Sequence, residues 1–263
     1  MSDKLSKQEL FVRSLKRKRT AIKIAQWGIL VFFLIFWEVG TRLGWLDAFI
    51  TSSPTRIFNT IAGMTADGSL WEHVLITVAE TVAGFLLGTV LGVAIAVALW
   101  WSDTARRIAD PYLVVLNSLP KVALGPVIIV WMGAGAKAII AMALLISLIV
   151  TIMTVLNGFI EVGYETTQLM MTFRASKMQI LTKAILPASV PTFVSALKIN
   201  VGMSWIGVIM GEFLVSRAGL GYLIVYGGQV FKLDLVMAGV VLLCICAAVM
   251  YLAVAALEKK LLK

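Results

Sequence analysis

Apolar residues in this chain come in long runs rather than at the spacing of an amphipathic soluble helix. Ile24 to Trp37 carries no charge, and the run continues through Glu38 to about Gly44. A second run, about Val74 to Leu99, holds Glu80 as its only charge. A third, about Pro111 to Met132, is interrupted by Pro120 and Pro126. Ala138 to Leu156 has no charged residue, Pro191 to Leu214 contains Lys198 and Glu212, and Leu235 to Leu257 is again uncharged. About 20 mostly apolar residues suffice for a helix to cross a bilayer. Each run is therefore predicted to be a span, and the fold class is all-α, a six-helix polytopic membrane protein.

The segments between the runs set boundaries and orientation. Ser53-Pro54-Thr55 reads as a helix start with proline at the first helical position, and Ile57, Phe58, Ile61 and Met64 give that short helix an apolar face suited to the interface. The Lys16-Arg17-Lys18-Arg19 cluster ahead of the first run is not followed by a small-residue cleavage site, so this run is expected to stay as an uncleaved span. With the N-terminus inside, sixteen Lys and Arg fall in inside segments against five outside, Arg42, Arg56, Lys137, Arg217 and Lys232. That asymmetry predicts both termini on the cytoplasmic side. Residues 1–23 form the cytoplasmic tail, 24–263 the membrane domain, and 157–190 a long inside loop.

Composition then removes other classes. The 263 residues are 60% hydrophobic and 14% charged, with a mean hydropathy of +0.95, whereas soluble domains carry about 25% charged residues. A soluble enzyme, a disordered chain and a disulfide-stapled domain are excluded. The net charge of +9 belongs to membrane topology rather than to nucleic-acid binding. Cys244 and Cys246, two apart on a helix, point in different directions and read as small core residues. The chain has no G-x-x-x-x-G-K-[ST] segment, nor even a Gly-Lys pair, so ATP phosphates have no cradle here. No cofactor is expected on this chain.

A few polar and small residues inside the runs are candidates for function. Gly84, Gly88 and Gly92 repeat every fourth position, with Ala96 continuing the row. Such a stripe lets another helix approach closely, either one of the same chain, the preferred reading, or one of a second copy. The third run gathers Asn117, Ser118, Pro120, Lys121, Gly125 and Pro126 within ten residues. It is either a kinked packing helix with Lys121 reaching the interface or a broken helix bordering a transport path. Asn117, Lys121, Trp131, Asn200, Trp205 and Glu212 are the pathway candidates, because polar groups at membrane depth face a bundle interior or an aqueous cavity. Glu212 lines the outer mouth or caps its helix. His73 is expected at the interface. The glycine-broken segment at 214–233 reads as a re-entrant segment or as a surface helix touched by a partner.

The inside loop carries a resemblance. Arg174-Ala175-Ser176-Lys177-Met178-Gln179-Ile180 through Ile185-Leu186-Pro187 is similar to the second half of the EAA loop of binding-protein-dependent ABC importer permeases. Leu119-Pro120-Lys121-Val122-Ala123-Leu124-Gly125-Pro126 with Trp131-Met132-Gly133, Trp205-Ile206-Gly207 with Gly211-Glu212, and Gly219-Leu220-Gly221-Tyr222-Leu223-Ile224 resemble its nitrate/sulfonate/taurine branch. The resemblance implies a type I permease of the bacterial cytoplasmic membrane that works as a homodimer. It also implies a separate cytoplasmic ATPase that hydrolyses the ATP, an extracytoplasmic binding protein, and a small solute. That solute would be a sulfonate-, taurine- or nitrate-like anion or a thiamine-precursor-like heterocycle. It places ATPase coupling on Gln168, Met170, Phe173, Arg174, Ala175, Ser176, Leu186 and Pro187. The family's Glu-Ala-Ala falls on Gln168-Leu169-Met170 and its glycine on Arg174, so the turn there is expected to be helical or shifted, since Arg adopts positive φ less readily than Gly. The rivals are an ion-coupled secondary carrier, which has no use for a docking loop, and a lipid-modifying membrane enzyme, which would need converging acids, histidines or metal ligands.

Overall fold

The computed structural model describes residues 7–162 and 164–261. Residues 1–6 of the tail, Gly163 of the inside loop and residues 262–263 lie outside the described part, and with them Lys4 and Lys263 of the basic set. Among the described residues all regular structure is helical. α1 (Lys7–Arg42) runs unbroken through residue 23, so the described tail and the first span are one rod. α2 (Ala48–Thr51) and α3 (Pro54–Ala66) follow. Pro54 opens α3 as expected, and Ser53 caps it by accepting from the Arg56 N–H. Ile57 and Met64 are buried while Phe58 is exposed, so α3 packs on the bundle and does not merely lie on the interface.

α4 (Ser69–Trp101), α7 (Ala136–Glu161) and α11 (Val190–Val215) form the heart of the bundle. Each is a few residues longer than its apolar run. Between α4 and α7 lie α5 (Asp103–Ser118), a short 3₁₀ turn at Lys121–Leu124, and α6 (Gly125–Met132). Leu119, which precedes Pro120, is extended (ψ 138°), as proline requires of its predecessor, and the chain bends there by 86°. Gly84, Gly88 and Gly92 of α4 meet Ala143, Ser147 and Thr151 of α7 in rising order, so these two helices run parallel. Parallel neighbours oblige 102–135 to return across the bundle, and the bent pair is therefore a crossing. That makes six crossings among the described residues, five straight helices and one broken one.

The loop between α7 and α11 is built of α8 (Tyr164–Thr172), α9 (Lys177–Ile180), a π turn at Leu181–Ile185 and α10 (Leu186–Ala188). The π turn sits just before Pro187, whose ring excludes the regular bond to the carbonyl four residues earlier. α12 (Leu220–Gln229) and α13 (Leu233–Leu261) complete the chain. One core cluster joins α3, α4, α11, α12 and α13 around Trp205, Leu220 and Leu243. Another joins α4, α7, α11 and the loop around Phe159, Ile180 and Ile185. Cys244 is exposed on α13, so it is not a core residue, and Cys246 is half-buried. The apolar run there faces outward on that side, and sequence periodicity within an all-apolar helix does not tell the two sides apart.

Candidate functional site

Two ends of the bundle carry the candidate residues, and each is organised by a different kind of bond. At the loop end, α8 closes through a Schellman turn. The Ala175 N–H donates to the Met170 carbonyl at 3.0 Å and the Arg174 N–H to that of Met171 at 2.9 Å. Arg174 stands at the left-handed position, φ 59°, which usually goes to glycine. The expectation of a helical or shifted turn is thus corrected: the turn keeps its shape with arginine in it, because the two closing bonds and the helix that follows hold it. That helix begins with a capping box, Gln179 N–H to Ser176 Oγ at 3.3 Å and Ser176 N–H to Gln179 Oε1 at 2.8 Å.

The loop is split by face. Ile180, Leu181 and Ile185 are buried, with Met170 and Ala175 packed against them. Leu169, Met171, Phe173, Met178 and Leu186 are exposed, Phe173 by 77% at the turn itself. Gln168 and Pro187 also face outward. Lys177 anchors the turn, its ammonium donating to the Trp101 carbonyl at the end of α4 and lying 5.7 Å from the Trp101 ring centre.

At the opposite end, the start of α12 is capped by side chains from other helices. Four consecutive N–H groups, those of residues 219–222, would otherwise be open. Gly219 donates to His73 Nδ1 at 3.0 Å, Leu220 to Thr77 Oγ1 at 2.7 Å, Gly221 to Glu212 Oε2 at 2.5 Å, and Tyr222 to Glu212 as well. The Thr77 hydroxyl donates onward to Glu212 Oε1 at 2.6 Å. Glycine is needed here by contact, since a Cβ on Gly221 would lie 2.7 Å from Glu212 Oε2 and one on Gly219 2.5 Å from the Glu212 carboxyl carbon. Glu212 is therefore a cap, though of α12 rather than of its own helix. His73 also stacks on Tyr222, ring centres 6.1 Å apart. The 214–233 segment is a docked helix whose Leu220, Leu223 and Gly227 are buried against α11 and α13.

Residues 88–263, two thirds of the chain, match the family described as the binding-protein-dependent transport system inner membrane component. The chain belongs to this permease family. It is a transport subunit rather than an enzyme. A Bacillus subtilis protein named as an aliphatic sulfonates transport permease is 28% identical over 94% of this chain and 91% of its own length. The taurine transport system permease of Escherichia coli is 26% identical over 89% and 87%. A chain of the inward-facing MetNI methionine ABC transporter shares the fold, with a TM-score of 0.63 at 21% identity over 72% of this chain and 94% of that one.

Within this permease, the pathway candidates separate into two groups. Asn200, Trp205 and Glu212 are buried by the chain's own helices. Asn200 Nδ2 donates to Thr89 Oγ1 at 2.6 Å, tying α11 to α4. Asn117 and Lys121 are brought together on the bent crossing, the Lys121 ammonium donating to the Asn117 carbonyl at 3.2 Å and its Oδ1 at 3.3 Å. Trp131 is 80% exposed and borders an apolar groove of about 290 Å³ between α6 and α7. The glycine stripe packs on α7 of the same chain, as preferred from sequence. Sequence reasoning missed Thr77 and Thr89. Neither stands out, because a threonine in an apolar helix bonds its own backbone as readily as a neighbour.

Proposed function

We propose that this permease is half of a homodimeric, ATP-driven importer for a small organic anion of the sulfonate class, with both termini in the cytoplasm. The observation that carries the coupling role is the loop turn, rigid through its own bonds and presenting Phe173 and its apolar neighbours outward. An exposed apolar tip on a rigid, basic-flanked turn fits the groove of an ATPase subunit, which supplies the motor this sequence lacks. Binding the nucleotide pair closed would push that turn and, through Lys177 and the buried face of 177–188, the inner ends of α4 and α7. The bent crossing, with Asn117 and Trp131 exposed and Lys121 half-buried, faces the second copy and borders the path between them. A binding protein delivers solute at the opposite end, and alternating access follows from which end is open. The sulfonate class is supported by the relatives' names and by the motifs of that branch.

The test is co-purification of the permease with its ATPase in detergent. Phe173→Asp is expected to abolish the complex while leaving the permease's melting temperature unchanged, since the side chain touches little of its own chain. Complex formation by that variant would overturn the docking assignment. Uptake into vesicles holding the whole system, offered sulfonates and heterocycles in turn, decides the solute class. Protease-cleavable tags at each terminus decide the orientation.

A further inference from the structure

α1 touches little of its own chain. Residues 17–36 are exposed without a break, and none of its most apolar stretch is buried against the bundle. Its bonds to the described chain lie at its C-terminal end. There Glu38 accepts from the Thr55 N–H at 3.1 Å and from the Thr55 hydroxyl at 2.8 Å, and the Leu46 N–H closes on the Gly40 carbonyl at 3.1 Å.

The N-terminal end of the same rod is basic. From Lys7 to Lys23 there are seven Lys and Arg and a single acid, Glu9. Four of the seven, Lys16-Arg17-Lys18-Arg19, are consecutive. Successive helix positions stand about 100° apart, so four in a row go round the whole rod. A ring of this kind offers charge on every side, whereas a helix that docks on a protein divides its faces. Arg17, Lys18, Arg19 and Lys23 are exposed and form no ion pair among the described residues.

The helix also fixes the height of the ring. α1 continues unbroken from Ile24 back to Lys7, so positions 19 to 16 lie about 7–12 Å beyond Ile24, where the uncharged run begins. Headgroups occupy about 5–8 Å of each leaflet, and one Debye length is about 8–10 Å. Long basic side chains also bend their charged ends toward the interface. The ring therefore stands within reach of the lipid phosphates, and no described carboxylate neutralises it.

We propose that the ring at residues 16–19, with Lys23, is a binding site for anionic phospholipid headgroups of the leaflet it faces. Bound headgroups hold the N-terminal end of α1, which the described bundle does not. The ligand is a phosphodiester of net negative charge, such as phosphatidylglycerol. In zwitterionic phosphatidylcholine the lipid's own ammonium offsets the phosphate, so the ring attracts it less. The site needs only that α1 crosses the membrane, and it is independent of the coupling and sulfonate readings above.

The full-length permease is reconstituted in phosphatidylcholine vesicles holding a small, equal fraction of nitroxide-labelled phosphatidylglycerol or nitroxide-labelled phosphatidylcholine. A fluorophore on Ala21→Cys, in a chain whose Cys244 and Cys246 are replaced by alanine, reports by its quenching the lipid beside the ring. Labelled phosphatidylglycerol is expected to quench as though enriched about fivefold or more, the effect of at least one juxtamembrane charge. The enrichment should vanish near ~1 M salt, where the Debye length is about 3 Å. Lys16→Gln, Arg17→Gln, Lys18→Gln and Arg19→Gln together should make the two lipids quench alike. Glutamine is as good a helix former as Lys or Arg, so this variant keeps α1, which an unchanged gel-filtration profile checks. Lys259→Gln with Lys260→Gln, at the end of α13, should leave the enrichment as it was. Equal quenching by the two lipids with the ring intact, enrichment that survives the fourfold substitution, or an equal loss in the α13 variant would overturn the site. Displacement of phosphatidylglycerol by free inorganic phosphate at constant ionic strength would overturn it as well. Equal lipid quenching together with loss of ATPase co-purification in the fourfold variant would make the ring a protein contact instead.

Discussion

The α4–α7–α11 interior and the loop at 164–188 are held in place in different ways. In the interior, each fixed position depends on residues far away in sequence. Glu212 is held by Thr77, 135 residues earlier, and Asn200 by Thr89, 111 earlier. In the loop, the turn at 170–175 and the cap at 176–179 close on residues three to five positions apart. A turn closed by its own bonds can be displaced as a unit, which suits the coupling role proposed for this loop. A region fixed by its neighbours moves only if they move too, which suits a scaffold that must carry helices past one another intact.

The sharpest way to break the interior is to fill the space a glycine leaves. A Cβ on Gly207 would strike the Ala143 backbone, and no rotamer relieves a clash with a Cα. Gly207→Leu is expected to cost about 3 kcal/mol or more and to abolish a monodisperse, folded permease on gel filtration. Gly202, one turn and a half away on the same helix, has nothing within 4 Å of its Cβ position. Gly202→Ala should be neutral or stabilise by up to about 1 kcal/mol. If both variants behave alike, the effect belongs to helix propensity and not to packing.

Next in size is removal of the shared cap. Glu212→Ala leaves the Gly221 and Tyr222 N–H groups without their acceptor and the Thr77 hydroxyl with only the His73 carbonyl. Buried donors left unsatisfied make this a loss of about 2–4 kcal/mol, read as a lower melting temperature. The loss should be local, with hydrogen exchange rising in α12 before it rises in α7. Uniform exchange across the chain would mean that the cap supports the whole bundle and not one helix.

These two cases also mark what could be read without coordinates. The spans, the helix start at Pro54 and the break at Pro120 were legible because proline and apolar run length act within a few residues. The glycine stripe was legible as a close approach, and its partner followed only once Ala143, Ser147 and Thr151 were seen on the parallel helix. The α12 cap was hidden, since His73, Thr77 and Glu212 come from two helices and no local pattern joins them to Gly219-Leu220-Gly221. The pathway set was divided for the same reason. Asn200, Trp205 and Glu212 look as suited to water as Asn117 and Lys121 until packing shows that they are enclosed. At Arg174 two local signals oppose each other. The arginine argued against a left-handed turn, while Ser176 and Gln179, whose capping box helps to fix it, were already in view.

The smallest effect tests whether the loop is as self-sufficient as its bonds imply. An L-residue with a Cβ in the left-handed region carries a cost of about 1–2 kcal/mol, part of which glycine would return through its greater freedom in the unfolded chain. Arg174→Gly should therefore stabilise the turn by a net ~0.5–1 kcal/mol, seen as exchange about two- to fivefold slower at the amides of residues 174 and 175, with the global melting temperature almost unmoved. Arg174→Ala keeps the Cβ and removes only the charge, so it should leave those rates where they are. Slower exchange in both variants would trace the cost to repulsion among Arg174, Lys177 and Lys183 rather than to backbone strain. A shift in the global melting temperature would show that the turn's shape depends on its contacts with the bundle, the Lys177 bond to the Trp101 carbonyl among them, and the contrast between the two regions would then narrow to one of degree.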